Sequence, residues 1–179
     1  DMPLGEIVEI EVVLDQVAYR IPRGHRLRVA LSPSYFPFVW PDDKAVCLRL
    51  EAGSLQLPVM EGEDVAVAFD SAKGATGIEF KRYSSRLENK QVLRDGDVWR
   101  QEIIGDDGLI ENPLNGLKTA QKVHEVFEIT EGDPSSARAK FVWKRSYGRG
   151  DWMVHTKSHV VMSSSNGQFL VEAKLDAFD

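Results

Sequence analysis

The sequence predicts an all-β protein, folded as an antiparallel β-sandwich of the jelly-roll type. Three observations support this fold class. Apolar and polar residues alternate along most of the chain, which is the side-chain period of a strand. The alternating runs are short and are bounded by Gly, Pro, Asp and Asn, the residues typical of turns. No convincing helical pattern of about ten or more residues is present. We therefore expect about ten or eleven short strands in two packed layers.

The first half of the chain alternates in separate runs. The alternating runs cover residues 6–14, 26–31, 46–50, 55–59, 65–69 and 78–82. Residues 51–54 are predicted to be a hairpin loop, and the glycine-rich residues 73–77 separate the last two runs. Pro22, Gly24 and His25 form the turn before the strand at Arg26. Because the strand begins directly after this turn, we expect Gly24 to adopt a backbone conformation that other residues avoid.

The second half alternates more regularly. Its alternating runs cover residues 91–94, 98–104, 123–130, 139–147, 152–156 and 169–177. Turns are expected at 95–97, 105–108, 131–134, 148–151 and 163–167, and a long loop at 109–119. In the last strand the inward side chains are Phe169, Val171, Ala173, Leu175 and Ala177, and Glu172, Lys174 and Asp176 point outward.

Length and composition indicate one folded domain over residues 1–179. Hydrophobic residues make up 42% and charged residues 28% of the 179 positions. The 22 Lys and Arg against 28 Asp and Glu give a net charge of −6, which argues against nucleic acid as a partner. No signal peptide and no membrane-spanning apolar run is present, so we expect no membrane partner and a cytoplasmic location. The single Cys47 lies in an apolar run and is predicted to be a buried filler.

The residues that could support catalysis or metal binding are better explained by structural roles. The chain lacks the G-x-S-x-G pattern of a nucleophile elbow, so we expect no catalytic residue in it. His155 and His159 stand roughly 13 Å apart on a strand, too far to share one metal ion. Turn capping explains three carboxylate pairs, with acid–base chemistry or calcium binding as the alternatives. These pairs are Asp42 with Asp43, Asp95 with Asp97, and Asp106 with Asp107. No metal and no cofactor is expected.

Residues 136–160 are locally basic, with six Lys or Arg and one Asp, a charge of 6 − 1 = +5. Alternation places Arg138, Lys140 and Lys144 on the face opposite Phe141 and Trp143. We interpret this as a solvated sheet face, and nucleic-acid binding is the alternative interpretation.

Residues 34–41 are the most unusual stretch of the chain and are called the aromatic loop below. Four rings, Tyr35, Phe36, Phe38 and Trp40, lie among prolines at 33, 37 and 41. These prolines exclude a central strand. The loop either packs its rings onto its own sandwich, or offers them as a rigid patch to a partner domain or ligand.

The residues from Ala18 to Ser32, followed by Phe36 and Pro37, resemble a known family. The stretch AYRIPRGHRLRVALS is similar to the C-terminal domain of X-Pro dipeptidyl-peptidases and cocaine-esterase-like (CocE/NonD) serine hydrolases. Further similar segments are Leu57-Pro58-Val59, Asp106-Asp107-Gly108, Asp133-Pro134 and Arg149-Gly150-Asp151-Trp152. The resemblance covers nearly the whole chain.

The resemblance implies a jelly roll similar to galactose-binding domains, which packs on a catalytic α/β-hydrolase domain and a helical cap of the same parent chain. The catalytic triad belongs to the hydrolase part, and none of it maps onto this chain. The four rings of the aromatic loop are the candidates for the interface or substrate side. The chain is then a fragment of a larger hydrolase, an esterase or a peptidase, whose open sheet edges invite self-association. The alternative is a carbohydrate-binding module in which Trp40 or Trp152 stacks on a sugar.

Overall fold

The alternating sequence of the second half pairs into long antiparallel strands. The computed structural model describes residues 3, 5–42, 44, 46–60, 62 and 67–179. Its strands are β1 (Lys81–Arg82), β2 (Leu87–Asp95), β3 (Val98–Asn112), β4 (Leu117–Thr130), β5 (Asp133–Arg149), β6 (Trp152–Ser165) and β7 (Gln168–Phe178). The described residues include no helix. Nor do they contain a helical segment of the length and hydrophobicity needed to cross a membrane.

The strands form one seven-stranded sheet in which each long strand from β2 to β7 pairs with the next one along the chain. β1 pairs with β3 beside β2. Four of the hairpins turn within two residues, which needs backbone conformations with positive φ. At the β6–β7 turn, Asn166 and Gly167 provide them, with φ of 53° and 71°. Asn-Gly is the preferred pair for such a turn because both residues tolerate positive φ.

Alternation gives the sheet two different faces. We call one the apolar face; from β4 to β7 it carries Val123, Phe127, Phe141, Trp143, Val160, Met162, Val171 and Leu175. We call the other the charged face; it carries Glu102, His124, Arg138, Lys140, Lys144, Lys157, Glu172 and Lys174. The buried hydrophobic residues among those described are Val126, Ala137 and Ala139. On β7 the apolar side chains stay open, since Leu175 is 70% exposed.

The predicted fold class is confirmed: the protein is all-β and antiparallel, and a sheet with one apolar face is consistent with a β-sandwich. The inward and outward residues of β7 alternate as predicted. The strands are longer than predicted because two expected breaks are absent. Residues 105–108 do not end a hairpin; β3 continues through them with a bulge between Asp106 and Gly108. Most of the expected loop at 109–119 is strand, and the turn occupies residues 113–116.

The first half differs from the prediction. Residues 6–14, 26–31, 46–50, 55–59 and 67–69 are not strands, and of the run at 78–82 only β1 is one. Val65 and Ala66 lie outside the described residues. Alternation decides which side chains share a face, but a strand also needs a neighbour for its backbone hydrogen bonds. Cys47, predicted to be buried, is exposed. Residues 46–50 do not form the strand that would have packed its side chain into a sandwich.

The chain divides into two units, Asp1–Leu31 and Ser32–Asp179. The first contains the turn at residues 22–25, where the His25 amide donates to the Pro22 carbonyl at 3.1 Å. Gly24 has a φ of 87°, the kind of backbone conformation expected there. The second unit contains the aromatic loop and the sheet.

Candidate functional site

A short antiparallel bridge closes the aromatic loop. The Tyr35 amide donates to the Val39 carbonyl at 3.2 Å, and the Val39 amide donates to the Tyr35 carbonyl at 2.8 Å. Before the bridge, the Ser32 hydroxyl donates to the Ser34 carbonyl at 2.5 Å. These bonds satisfy backbone groups in a stretch where the prolines cannot donate. The loop therefore holds its four rings in a defined arrangement.

Two of the rings point toward the sheet. Phe36 lies edge-on to Phe127 with ring centroids 6.3 Å apart, and Trp40 lies edge-on to Phe169 at 5.8 Å. Phe36 and Trp40 also contact each other at 5.5 Å. Phe127 continues the series to Phe141 at 5.5 Å. Five rings thus form a continuous edge-to-face chain along the apolar face, the arrangement that aromatic quadrupoles favour. We call Phe36 and Trp40 the inward pair, and this pair anchors the loop to its own sheet.

The other two rings point away from the sheet. Tyr35 and Phe38 stack on each other with centroids 5.5 Å apart and an interplanar angle of 21°. Tyr35 is 68% exposed and Phe38 is 77% exposed. We call Tyr35 and Phe38 the outward pair. A stacked, largely uncovered aromatic pair on a fixed loop presents an apolar patch with little side-chain entropy left to lose.

The two histidines spaced four residues apart lie on one strand, where they do not converge on a common site. His155 and His159 lie on β6, on the charged face, as a strand requires. The Ser146 hydroxyl and His155 Nδ1 are 2.8 Å apart, and the His155 ring stacks on Phe178. No group of three or more His, Cys, Asp or Glu side chains in the described residues is placed to hold a metal ion.

The three carboxylate pairs differ in where the structure places them. Asp106 belongs to the β3 bulge, where its Oδ1 accepts from the Gly108 amide at 2.9 Å and its Oδ2 contacts Lys122 Nζ at 2.7 Å. The Lys122 hydrogen bond, followed by that amide, holds the pKa of Asp106 below its usual range. This is backbone bonding in a bulge, close to the turn role expected. Asp95 ends β2 beside the turn, and Asp43 lies outside the described residues.

A hydrogen-bonded cluster on the charged face was not expected from the sequence. Glu102 accepts from His124 Nε2 at 2.6 Å, Gln91 Nε2 at 2.8 Å and Arg100 Nη2 at 3.3 Å. The His124 hydrogen bond is the largest cause of a pKa of Glu102 below its ordinary value. The Glu102 side chain is 14% exposed. No sequence pattern indicates that these residues are in contact, because they lie on three strands and are brought together only by the sheet register.

The fold and the loop define a class: an antiparallel β domain whose apolar face carries an aromatic loop with two rings turned outward. The family model of the X-Pro dipeptidyl-peptidase C-terminal non-catalytic domain matches residues 1–78. The resemblance to that family is therefore confirmed over this segment, which is less than half of the 179-residue chain. The match includes the turn at 22–25 and the aromatic loop, and ends just before β1. Residues 1–78 are thus similar to the non-catalytic C-terminal domain of X-Pro dipeptidyl-peptidases. No curated protein and no solved structure matches the chain.

Proposed function

We propose that this chain is a non-catalytic domain that docks through its outward pair onto the catalytic α/β-hydrolase and cap domains of its parent chain. There it helps wall the substrate site of a serine hydrolase that cleaves X-Pro peptides or acyl esters. The cytoplasm is the proposed location, where the exposed thiol of Cys47 stays reduced.

The observation that carries the proposal is the division of the aromatic loop into two pairs. Phe36 and Trp40 already have partners on the sheet, so they fix the loop without needing another domain. Tyr35 and Phe38 have each other and otherwise face solvent. Exposed aromatic side chains on a pre-ordered loop are typical anchors of a protein interface. The loop also lies within the segment that matches the non-catalytic domain family.

The alternative, a carbohydrate-binding module, has weaker support. Trp40, one of the two indoles considered for sugar stacking, is half-buried with its ring against Phe36 and Phe169. Trp152 is 60% exposed, but it begins β6 next to the β5–β6 turn, away from the aromatic loop in sequence. Of the two indoles considered, only Trp152 is open enough to stack on a sugar, whereas the outward pair presents two exposed rings for domain docking.

The test is the double variant Tyr35→Ala/Phe38→Ala in the parent enzyme. We expect the Michaelis constant for an Xaa-Pro anilide or a p-nitrophenyl ester to rise by about threefold or more, because the docked domain loses the burial of two rings. The melting temperature of the 179-residue chain should stay unchanged, since both rings are exposed without a partner domain. The matched control is Phe69→Ala, which removes a ring that is 87% exposed and lies outside the loop. If both variants change the Michaelis constant equally, the docking proposal is wrong.

A further inference from the structure

The centre of the charged face contains a zone without carboxylates. On β5 the side chains of this face include Arg138, Lys140, Val142, Lys144 and Ser146, and on β6 they include His155, Lys157, His159, Val161 and Ser163. Between Arg138 and Ser146 on β5, and between His155 and Ser163 on β6, this face carries no Asp or Glu. The acidic residues next to this stretch lie on the flanking strands and include Glu128 on β4, directly opposite Arg138, and Glu172 on β7, opposite Val161. We call Arg138, Lys140, Lys144 and Lys157 the basic zone.

Like charges face each other in register across this zone. Lys144 is directly opposite Lys122 on one side and Lys157 on the other. Directly opposed like charges destabilise a sheet, because their side chains start only about 5 Å apart. Asp106 neutralises Lys122 through the 2.7 Å contact. Asp176 lies opposite Lys157 in register, but its carboxylate pairs with Lys174 at 3.1 Å. Lys144 and Lys157 have no ion pair with any described residue.

Apolar side chains are interleaved with these cations. Val126, Val142 and Val161 lie on the same face between the lysine rows, and Val126 is 7% exposed. A hollow of about 250 Å³ opens beside Arg138, with Val161, Ser163, Leu170 and Glu172 around it. A face that combines unneutralised cations with small apolar patches resembles a protein interface more than an inert solvated surface.

We propose that the basic zone is a docking surface for an acidic polypeptide, one that presents carboxylates alternating with small apolar side chains. The charges are complementary, and such a partner would relieve the repulsion between Lys144 and Lys157. Alternate residues on an extended segment are about 6.6–6.8 Å apart, the same spacing as Arg138 and Lys140 along β5. This proposal is independent of the outward pair and of the parent's substrate.

An acidic polypeptide suits the zone better than a nucleic acid does. On the described part of this face, β4, β5 and β6 carry no Phe, Tyr or Trp ring on which a base could stack. Three of the four cations are lysines, which act as point charges rather than as the planar forks that grip phosphates in two places.

The experiment measures binding of fluorescent poly-L-glutamate to the 179-residue chain by anisotropy at low salt. The double variant Lys144→Gln/Lys157→Gln should bind at least about tenfold more weakly, since two contacts of the zone are lost. The matched control, Lys73→Gln/Lys90→Gln, removes the same charge from two exposed lysines outside the zone and should stay within about twofold of the unmodified chain. Carbodiimide coupling of the bound polymer should modify Lys140, Lys144 and Lys157 in preference to Lys73 and Lys90.

Three results would overturn the proposal. The two double variants could lose binding equally, which would reduce the effect to overall charge. Single-stranded oligothymidylate could bind more tightly than poly-glutamate at equal charge concentration, which would assign the zone to nucleic acid. Sedimentation could show that the chain alone forms a dimer that the zone variant abolishes, which would make a second copy the occupant. A circular-dichroism melting curve for each variant checks that it is folded.

Discussion

At Gly108 a single residue controls the path of β3. Its φ is 70°, and a Cβ added there would lie 2.4 Å from the Ser84 carbonyl oxygen. The same position closes the bulge, since its amide donates to Asp106 Oδ1. A side chain at Gly108 would therefore meet both backbone strain and a collision with backbone atoms that cannot rotate away.

We predict that Gly108→Ala lowers the free energy of unfolding by about 1–3 kcal/mol or more. The matched control is Gly105→Ala on the same strand, where the added Cβ would be 3.8 Å from Val123 Cβ, an ordinary contact. The control should change the free energy of unfolding by less than about 1 kcal/mol. Urea denaturation of both variants measures the difference, and equal midpoints would show that the bulge tolerates a side chain.

The pH dependence of stability should depend on Glu102. Its folded-state pKa is lowered, chiefly by the His124 hydrogen bond. A lowered carboxyl pKa stabilises the folded state fully above the ordinary glutamate pKa of about 4.3, and this stabilisation is lost as the pH falls through the lowered value. We therefore predict that Glu102→Gln melts below the unmodified chain at about pH 7 and that the gap narrows toward about pH 3. The control Glu172→Gln removes a carboxylate of the same face that has no ion pair in the described structure, and it should show no such convergence.

At the scale of elements, the aromatic loop and the sheet stabilise each other through the inward pair. Phe36 is half-buried and lies between Trp40 and Phe127, whereas Phe38 contacts Tyr35 and solvent. We predict that Phe36→Ala lowers the free energy of unfolding by about 1–2 kcal/mol, less than for a fully buried ring. Phe38→Ala, in the same loop, should leave it nearly unchanged. Thermal unfolding of the two variants compares them, and an equal loss would mean that both rings are core residues.

In the second half of the chain, the sequence predicted which strands form better than it predicted where each strand begins and ends. Each strand from β2 to β7 contains a run identified by alternation, and the faces of β5 and β7 follow from that alternation. The Asp106–Gly108 segment was interpreted as a turn because Asp-Gly has the same chemistry in a hairpin and in a bulge. The Glu102 cluster was missed because it depends on register. In the first half, alternation alone did not identify a pairing partner, and the described residues there form no strand.

At the scale of the whole molecule, the sheet does not bury both faces. The apolar face carries a shallow depression of about 420 Å³ lined by Phe141, Trp143, Val160 and Leu175 among others. Arg145 lies over the Trp143 ring at 4.8 Å and donates to Gln121 at 3.0 Å, so one end of this depression is polar. An apolar sheet face must be covered to contribute its full burial energy. In the described residues, the apolar face around this depression therefore contributes less than its full burial energy.

At the scale of the whole molecule, we also expect that the chain alone does not hydrolyse Xaa-Pro anilides or esters. A serine nucleophile needs a base, a group that orients the base, and an oxyanion hole. Ser146 and His155 supply a 2.8 Å contact, but they face each other on adjacent strands rather than at a strand-to-helix elbow. The contact also uses His155 Nδ1, and the ring stacks on Phe178 instead of meeting a described carboxylate. We predict no release of p-nitroaniline from an Xaa-Pro anilide, or of p-nitrophenol from an ester, above the rate in buffer. An X-Pro dipeptidyl-peptidase serves as the positive control. Turnover that Ser146→Ala abolishes, and that the exposed control Ser135→Ala retains, would contradict this prediction and make the chain an enzyme in its own right.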